Sequence, residues 1–243
     1  MDALSGAGLL RVWEAGQAQH PVDRALTVLA AAGAGGPRAR LAALPLPERD
    51  RRLLRARQAL LGPALGAFAV CPACAERVEF SVDSRDLVPP EEQGGGPWEA
   101  EGGGVAMRFR LPDSRDLAAA ARAAGVDGAR RRLAERCVLE ARGAEGPVPP
   151  GALPGAALDA LARRMAEVAP HAELSFALAC PACGTEWRAE LDVAAFFWAE
   201  LAARARRLLR EVDGLARAYH WSEGEILALS PARRRAYLEL AGA

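Results

Sequence analysis

A mainly helical α+β fold is predicted by three features of this sequence. Apolar residues recur at helical spacing over most of the chain. Two segments break that rhythm, where short apolar strands flank the matching turns Cys71-Pro72-Ala73-Cys74 and Cys180-Pro181-Ala182-Cys183. Residues 192–219 then carry one unbroken apolar stripe, which predicts a long helix toward the C-terminus.

Taken in order, residues 1–65 read as an N-terminal helical region. Leu9, Leu10, Val12 and Trp13 open one apolar pattern, Val22, Ala25, Leu26, Val28 and Leu29 a second, and Leu53, Leu54, Ala56, Leu60 and Leu61 a third. Pro37, Pro45 and Pro47 punctuate the joins, and Gly62-Pro63 stops the last helix. Residues 66–83 are expected as the first knuckle hairpin. The stretch 84–104, rich in Gly, Pro and Glu from Val88 onward, buries too little to order itself and is expected as a flexible loop.

Residues 105–170 read as a strand plus a helical insert. Val105, Met107, Phe109 and Leu111 share one face of the strand, and Pro112-Asp113-Ser114-Arg115-Asp116 then caps a helix running to about Ala124. A further helix is expected over 126–141, with Ala129, Leu133, Cys137 and Leu139 turned inward, and another over 153–168 beyond a Pro/Gly linker. Residues 171–192 repeat the knuckle hairpin. The last region, 193–243, begins with the long helix, whose stripe comprises Ala194, Phe197, Trp198, Leu201, Ala205, Leu208, Val212, Leu215 and Tyr219. Ser222-Glu223-Gly224-Glu225 is a capping box for a short helix, and Ser230 with Pro231 starts another.

The composition excludes several classes of function. Basic and acidic residues number 31 each, so no global field gathers nucleic acid or anionic lipid. Arg supplies every basic residue other than His, and Lys and Asn are absent, which fits a GC-rich genome better than Arg-specific recognition. No segment reaches the roughly 20 apolar residues that span a bilayer, and the N-terminus lacks the basic and apolar regions of a secretory signal. Five cysteines, four of them paired in knuckles, argue for reducing surroundings and metal rather than disulfides. A cytoplasmic location is expected.

Cys71, Cys74, Cys180 and Cys183 supply the donor set of a closed tetrahedral site, so one structural Zn2+ is expected to join the hairpins as a zinc-ribbon-like module. A Cys-x-x-Cys turn reverses the backbone so that both sulfurs reach one ion, and the N–H groups that follow point back at them. Gly184 suits the positive φ that such a turn needs; Ala75, at the matching place, fits less well. Arg77 and Arg188 are expected to offset part of the charge of minus two that four thiolates leave on a dication. Rival chemistries fit poorly. A catalytic zinc needs an open position, which four cysteines do not leave. A thioredoxin-like site places a single motif at a helix start. His171-Ala172-Glu173 has the His-x-Glu of a zinc deaminase, but it lies too close to Cys180, and Ala179 stands where that motif has Pro.

Cys137 is expected as a buried small hydrophobe. His20, His171 and His220 are isolated from any Ser, Cys or carboxylate at a catalytic spacing. Arg204, Arg206, Arg207 and Arg210 read as a solvated run paired with Glu200, Glu211 and Asp213. Gly94–Gly96 and Gly102–Gly104 lack the strand-before, helix-after setting of a phosphate loop. The residues supply no catalytic set and no small-molecule cofactor site, so a non-enzyme is expected.

Three stretches carry a resemblance to a family. They are Leu10-Arg11-Val12-Trp13-Glu14 with His20-Pro21-Val22-Asp23-Arg24-Ala25-Leu26, then Phe109 through Leu117, then Tyr219-His220-Trp221 through Leu229 to Arg233-Arg234-Arg235-Ala236-Tyr237-Leu238. In these the chain resembles the phage T4 baseplate-type proteins of contractile tails and phage-tail-like injection systems. The resemblance implies a non-enzymatic assembly or structural role, with other baseplate or tail proteins as partners. The knuckles are an elaboration beyond it. The competing expectation is a zinc-ribbon nucleic-acid-binding or regulatory protein, disfavoured by Glu76, Glu79, Glu186 and Glu190 beside the knuckles.

Overall fold

The computed structural model describes residues 5–33, 36–88, 96–170, 172 and 174–242. Helices α1 (Gly6–Gly16), α2 (Pro21–Ala31), α3 (Arg38–Ala42) and α4 (Leu46–Leu61) lead into the hairpin of β1 (Ala64–Val70) and β2 (Arg77–Asp83). Strands β3 (Trp98–Gly102) and β4 (Val105–Phe109) precede helices α5 (Ser114–Ala120) and α6 (Gly125–Cys137). Strands β5 (Val138–Gly143) and β6 (Gly146–Pro147) and a 3-10 turn at Pro150–Ala152 lead to α7 (Gly155–Val168). The second hairpin, β7 (Leu174–Ala179) and β8 (Glu186–Leu191), is followed by α8 (Val193–Tyr219), α9 (Glu223–Ala228) and α10 (Pro231–Leu240). The α+β class, the paired hairpins and the long C-terminal helix are as the sequence predicts. Among the described residues no helix is long and apolar enough to cross a membrane.

The chain forms two compact units, Met1–Gly36 with Ala194–Ala243, and Pro37–Val193. The N-terminal helical region expected over 1–65 is thus divided between them. In the first unit Leu10 of α1 packs with Ala205 and Leu208 of α8, and Leu9, Trp13 and Leu227 cover that cluster. Arg24 ties α2 to the end of α1 by donating to the carbonyls of Gly16 and Gln17, both at 2.9 Å. Its guanidinium also lies 5.1 Å from the Trp198 ring centre. Toward the C-terminus Tyr219, Trp221 and Tyr237 form one aromatic cluster, with centroids 4.7 to 5.6 Å apart.

In the second unit the sheet order β3-β4-β5-β6 is antiparallel throughout. Its inner face buries Val105, Met107 and Phe109 against Val138, Ala141 and the α7 residues Ala157, Leu158 and Leu161. Two expectations fail here. The stretch expected as the flexible loop 84–104 contains an ordered strand, because Trp98 packs on Phe109 across the β3–β4 ladder. Its glycines do geometric work: Gly103 and Gly104 take positive φ to close the hairpin, and a Cβ on Gly102 would sit 2.3 Å from Cβ of Ala160. Residues 89–95 of that stretch lie outside the described residues. The helix expected over 126–141 ends at Cys137, after which β5 satisfies the open edge of β4. Leu139, expected inward, is half exposed on that strand.

The join between β4 and α5 is the most polar part of this core. Asp113 and Asp116 form a reciprocal capping box at the start of α5, and the Asp116 side chain is fully buried. Arg110 grips both carboxylate oxygens of Asp116, Arg136 donates to it at 2.7 Å, and the Asp113 N–H at 2.9 Å. Burial would raise this carboxyl, but Arg110, the Asp113 amide and Arg136 outweigh it and hold it down at about 2. Because the folded value lies below the unfolded one, the stabilisation is complete above about pH 4 and is lost as pH falls through 2. It amounts to about 2 kcal/mol. In urea unfolding, Asp116→Asn should cost about 2–3 kcal/mol at pH 7, and its deficit against wild type should shrink between pH 4 and pH 2. A deficit independent of pH would contradict this account.

Candidate metal centre

The two knuckle hairpins are built alike. In the first, β1 pairs with β2 from Ala64↔Asp83 to Val70↔Arg77, and in the second β7 pairs with β8 from Leu174↔Leu191 to Ala179↔Glu186. Alternation places Val78, Phe80 and Val82 on one face of the first hairpin and Phe176, Leu178 and Trp187 on one face of the second. Phe80 and Phe176 meet with centroids 5.1 Å apart, so these faces pack on each other. Arg57 secures the base of the first hairpin, donating at 2.8 Å to the carbonyls of Gly62 and Ala64. Ser84 closes the other strand onto the Pro63 carbonyl, also at 2.8 Å.

Each turn is locked by the same two backbone bonds. Cys71 N–H donates to Glu76 and Ala75 N–H to Cys71; in the other turn Cys180 N–H donates to Thr185 and Gly184 N–H to Cys180. That geometry requires a left-handed residue after the second cysteine. Gly184 takes φ 72°, and Ala75 is driven to φ 61° despite its Cβ. The poorer fit expected for Ala75 is therefore borne as backbone strain.

The four sulfurs predicted as ligands come together. Cys71 Sγ lies 3.7 Å from Cys183 Sγ, Cys74 Sγ lies 3.6 Å from Cys180 Sγ, and all four fall within 4.8 Å of one another. Disulfide bonding, near 2.05 Å, is excluded at these separations. Sulfurs bound at ~2.3 Å to one tetrahedral ion lie about 3.8 Å apart, so the cluster has the size to hold a metal ion. Cys71 and Cys180 are buried while Cys74 and Cys183 face solvent.

Arg77 and Arg188, expected to offset the thiolate charge, are engaged elsewhere. The Arg77 guanidinium lies 3.9 Å over the Phe68 ring and 3.2 Å from Glu79, and Arg188 donates to the Ser175 hydroxyl. The sulfurs are served instead by groups next to them. The Thr185 hydroxyl, 3.2 Å from Cys183 Sγ, and then the Thr185 backbone N–H hold that thiol down at about 6. The Glu76 N–H acts likewise on Cys74, but the sulfurs of Cys183 and Cys180 outweigh it and push that thiol up to about 12. Thr185 is the residue that sequence reading passed over; its signal was a hydroxyl two residues after the last cysteine, where the first knuckle has Glu76.

The remaining candidates stand apart from the cluster. Cys137 is fully buried beside Asp116, and burial with that carboxylate pushes its thiol up to about 12. His20 caps α2 by accepting from the Val22 N–H at 3.3 Å, and His220 follows α8 in a left-handed conformation. His171 and Glu173 lie outside the described residues. An open groove of about 700 Å³ runs beside the second hairpin, lined by Leu46, Pro47, Leu111, Pro112 and Met165 with Ser175 and Arg188 at its rim. Compared with protein-family models, with curated proteins and with solved structures, the chain finds no match.

Two sets of variants test the geometry. Cys71→Ser or Cys180→Ser should abolish stoichiometric metal in elemental analysis and lower the melting temperature steeply, while Cys137→Ser keeps its metal; equal metal loss in all three would refute the ligand assignment. Ala75→Gly should raise stability by about 1 kcal/mol by relieving the left-handed strain, and Gly184→Ala should lower it by a similar amount. An unchanged or lower melting temperature for Ala75→Gly would show that the turn is not strained.

Proposed function

We propose that this chain is a non-enzymatic structural or assembly component of a phage-like contractile tail baseplate, held in shape by one structural zinc and acting through protein–protein contacts. The observation that carries this reading is where the resembling residues sit. Each of the three stretches that resemble the baseplate-type family occupies a position on which its unit is built. In the first, His20 caps α2 and Arg24 clasps the end of α1. In the second, Phe109 is fully buried and Asp113 and Asp116 set the start of α5. In the third, Tyr219, Trp221 and Tyr237 cluster, Ser222 and Glu225 cap α9, and Arg234 pairs with Glu211 at 2.9 Å. Residues placed in this way preserve a fold, which is what an assembly component supplies to its neighbours.

Zinc is the ion that four thiolates in a tetrahedral cluster of this size favour, since soft sulfur ligands select it over calcium or magnesium. Cys71, Cys74, Cys180 and Cys183 would hold it, and a site closed by four cysteines supplies rigidity rather than Lewis-acid chemistry. The exposed Glu76, Glu79 and Glu186 weigh against a phosphate backbone approaching the knuckles.

The protein is expected to co-elute in gel filtration with at least one of the tail-tube, hub or spike proteins encoded in its own genome. Association with none of them would contradict the proposal, and salt-sensitive retention on duplex DNA would favour the zinc-ribbon alternative.

A further inference from the structure

We propose that the open edge of β1 is a self-association surface, on which a second copy of this chain lays its own β1 antiparallel. The proposal is independent of the baseplate reading, since it concerns two copies of one chain. Backbone bonds at both ends of the first hairpin fix which groups are free. Ser84 N–H donates to Pro63 and Cys71 N–H to Glu76. Alternation between these limits turns the N–H and C=O of Leu65, Ala67 and Ala69 toward β2, and those of Ala64, Gly66, Phe68 and Val70 outward. Arg57 already takes the Ala64 carbonyl at 2.8 Å. Gly66, Phe68 and Val70 remain, and β1 pairs with no strand but β2 among the described residues.

This edge is built for contact. Phe68 and Val70 are 54% and 55% exposed, and a Cβ built on Gly66 meets nothing within 4 Å. No charge or proline lies between Ala64 and Val70, whereas β2 carries Arg77, Glu79 and Asp83. Exposed strand edges are ordinarily guarded by such charges, and β1 lacks them. In the second hairpin Arg188 reaches across to the Ser175 hydroxyl, which puts a charge beside β7.

The occupant follows from the register. A two-fold axis at Phe68 sets Phe68 against its own copy and Gly66 against the partner's Val70. All three free residues of each strand then pair, through about six hydrogen bonds. The bare Gly66 leaves room for Val70, and the two Phe68 rings form a cross-strand pair. One step further, Ala64 would oppose Pro72, where the carbonyl is already taken and the N–H does not exist. Both ends of the ladder therefore stop together. Centring the axis on Gly66 or Val70 instead leaves outward groups unpaired. Glu79 lies three strand spacings, about 14 Å, from its copy, beyond the screening length at physiological salt. This two-ended fit selects a second copy over a strand from another protein.

Sedimentation equilibrium of the full-length, metal-loaded protein should show monomer passing to dimer between about 1 and 500 μM, the range of small transient interfaces. Amide exchange at Gly66, Phe68 and Val70 should slow about tenfold over that range. Phe68→Lys and Val70→Lys, with metal content and melting temperature checking the fold, should each weaken the dimer at least tenfold. An equimolar mixture of Phe68→Lys and Phe68→Glu should restore it, because the two-fold brings these side chains together. Wild-type protein that stays monomeric, with unchanged exchange, overturns the proposal and leaves the edge to another chain. So does assembly beyond the dimer, or a dimer that neither lysine variant weakens. A mixture that remains monomeric removes the register, and with it the self-match that selects a second copy.

Discussion

Four sulfurs from two distant parts of the chain converge on one small volume, and the second unit is organised around that convergence. A two-stranded hairpin is marginal alone in water. Each hairpin here gains stability by laying its apolar face on the other, as Phe80 and Phe176 do, and the sulfurs gather at the ends of both. Between the hairpins the chain folds a four-stranded sheet with three helices, so the cluster also closes a long loop. Closing a loop of roughly a hundred residues costs on the order of 4–5 kcal/mol. Structural zinc sites supply roughly 10–16 kcal/mol. A zinc ion held as proposed would exceed the closure term by a wide margin, enough for one small cluster to join segments so distant in sequence.

The two knuckles are alike in backbone and unlike in detail, and the differences follow from chemistry. The left-handed residue after each second cysteine is set by the turn, so glycine meets it freely and alanine under strain. The hydroxyl of Thr185 lies within hydrogen-bond distance of Cys183 Sγ, whereas Glu76 at the equivalent position offers Cys74 only its backbone N–H. Both turns nevertheless keep the same two backbone hydrogen bonds.

Much of this was legible in the sequence. The twinned Cys-x-x-Cys turns mark by spacing alone the four cysteines that cluster, and the stripe from Phe197 to Tyr219 marks α8. The capping box at Ser222 marks the start of α9 to the residue, and the run Pro112–Asp116 marks that of α5. What was hidden had physical reasons. Strand β3 lies in a stretch whose glycines suggest disorder, yet those glycines serve a tight turn and a close approach to α7, needs that composition does not reveal. Strand β5 continues a helical apolar pattern without a break, and only the open edge of β4 decides its conformation. Likewise the roles of Arg188 and Glu211 depend on partners on a neighbouring strand or helix, which local charge spacing does not report.

X-ray absorption at the zinc edge of the purified protein tests the central claim most directly. One ion per chain with four sulfur neighbours at ~2.3 Å and no nitrogen or oxygen in the inner shell is the predicted result. Absence of metal, or a shell with fewer than four sulfurs, would contradict the account of how the two hairpins are held together.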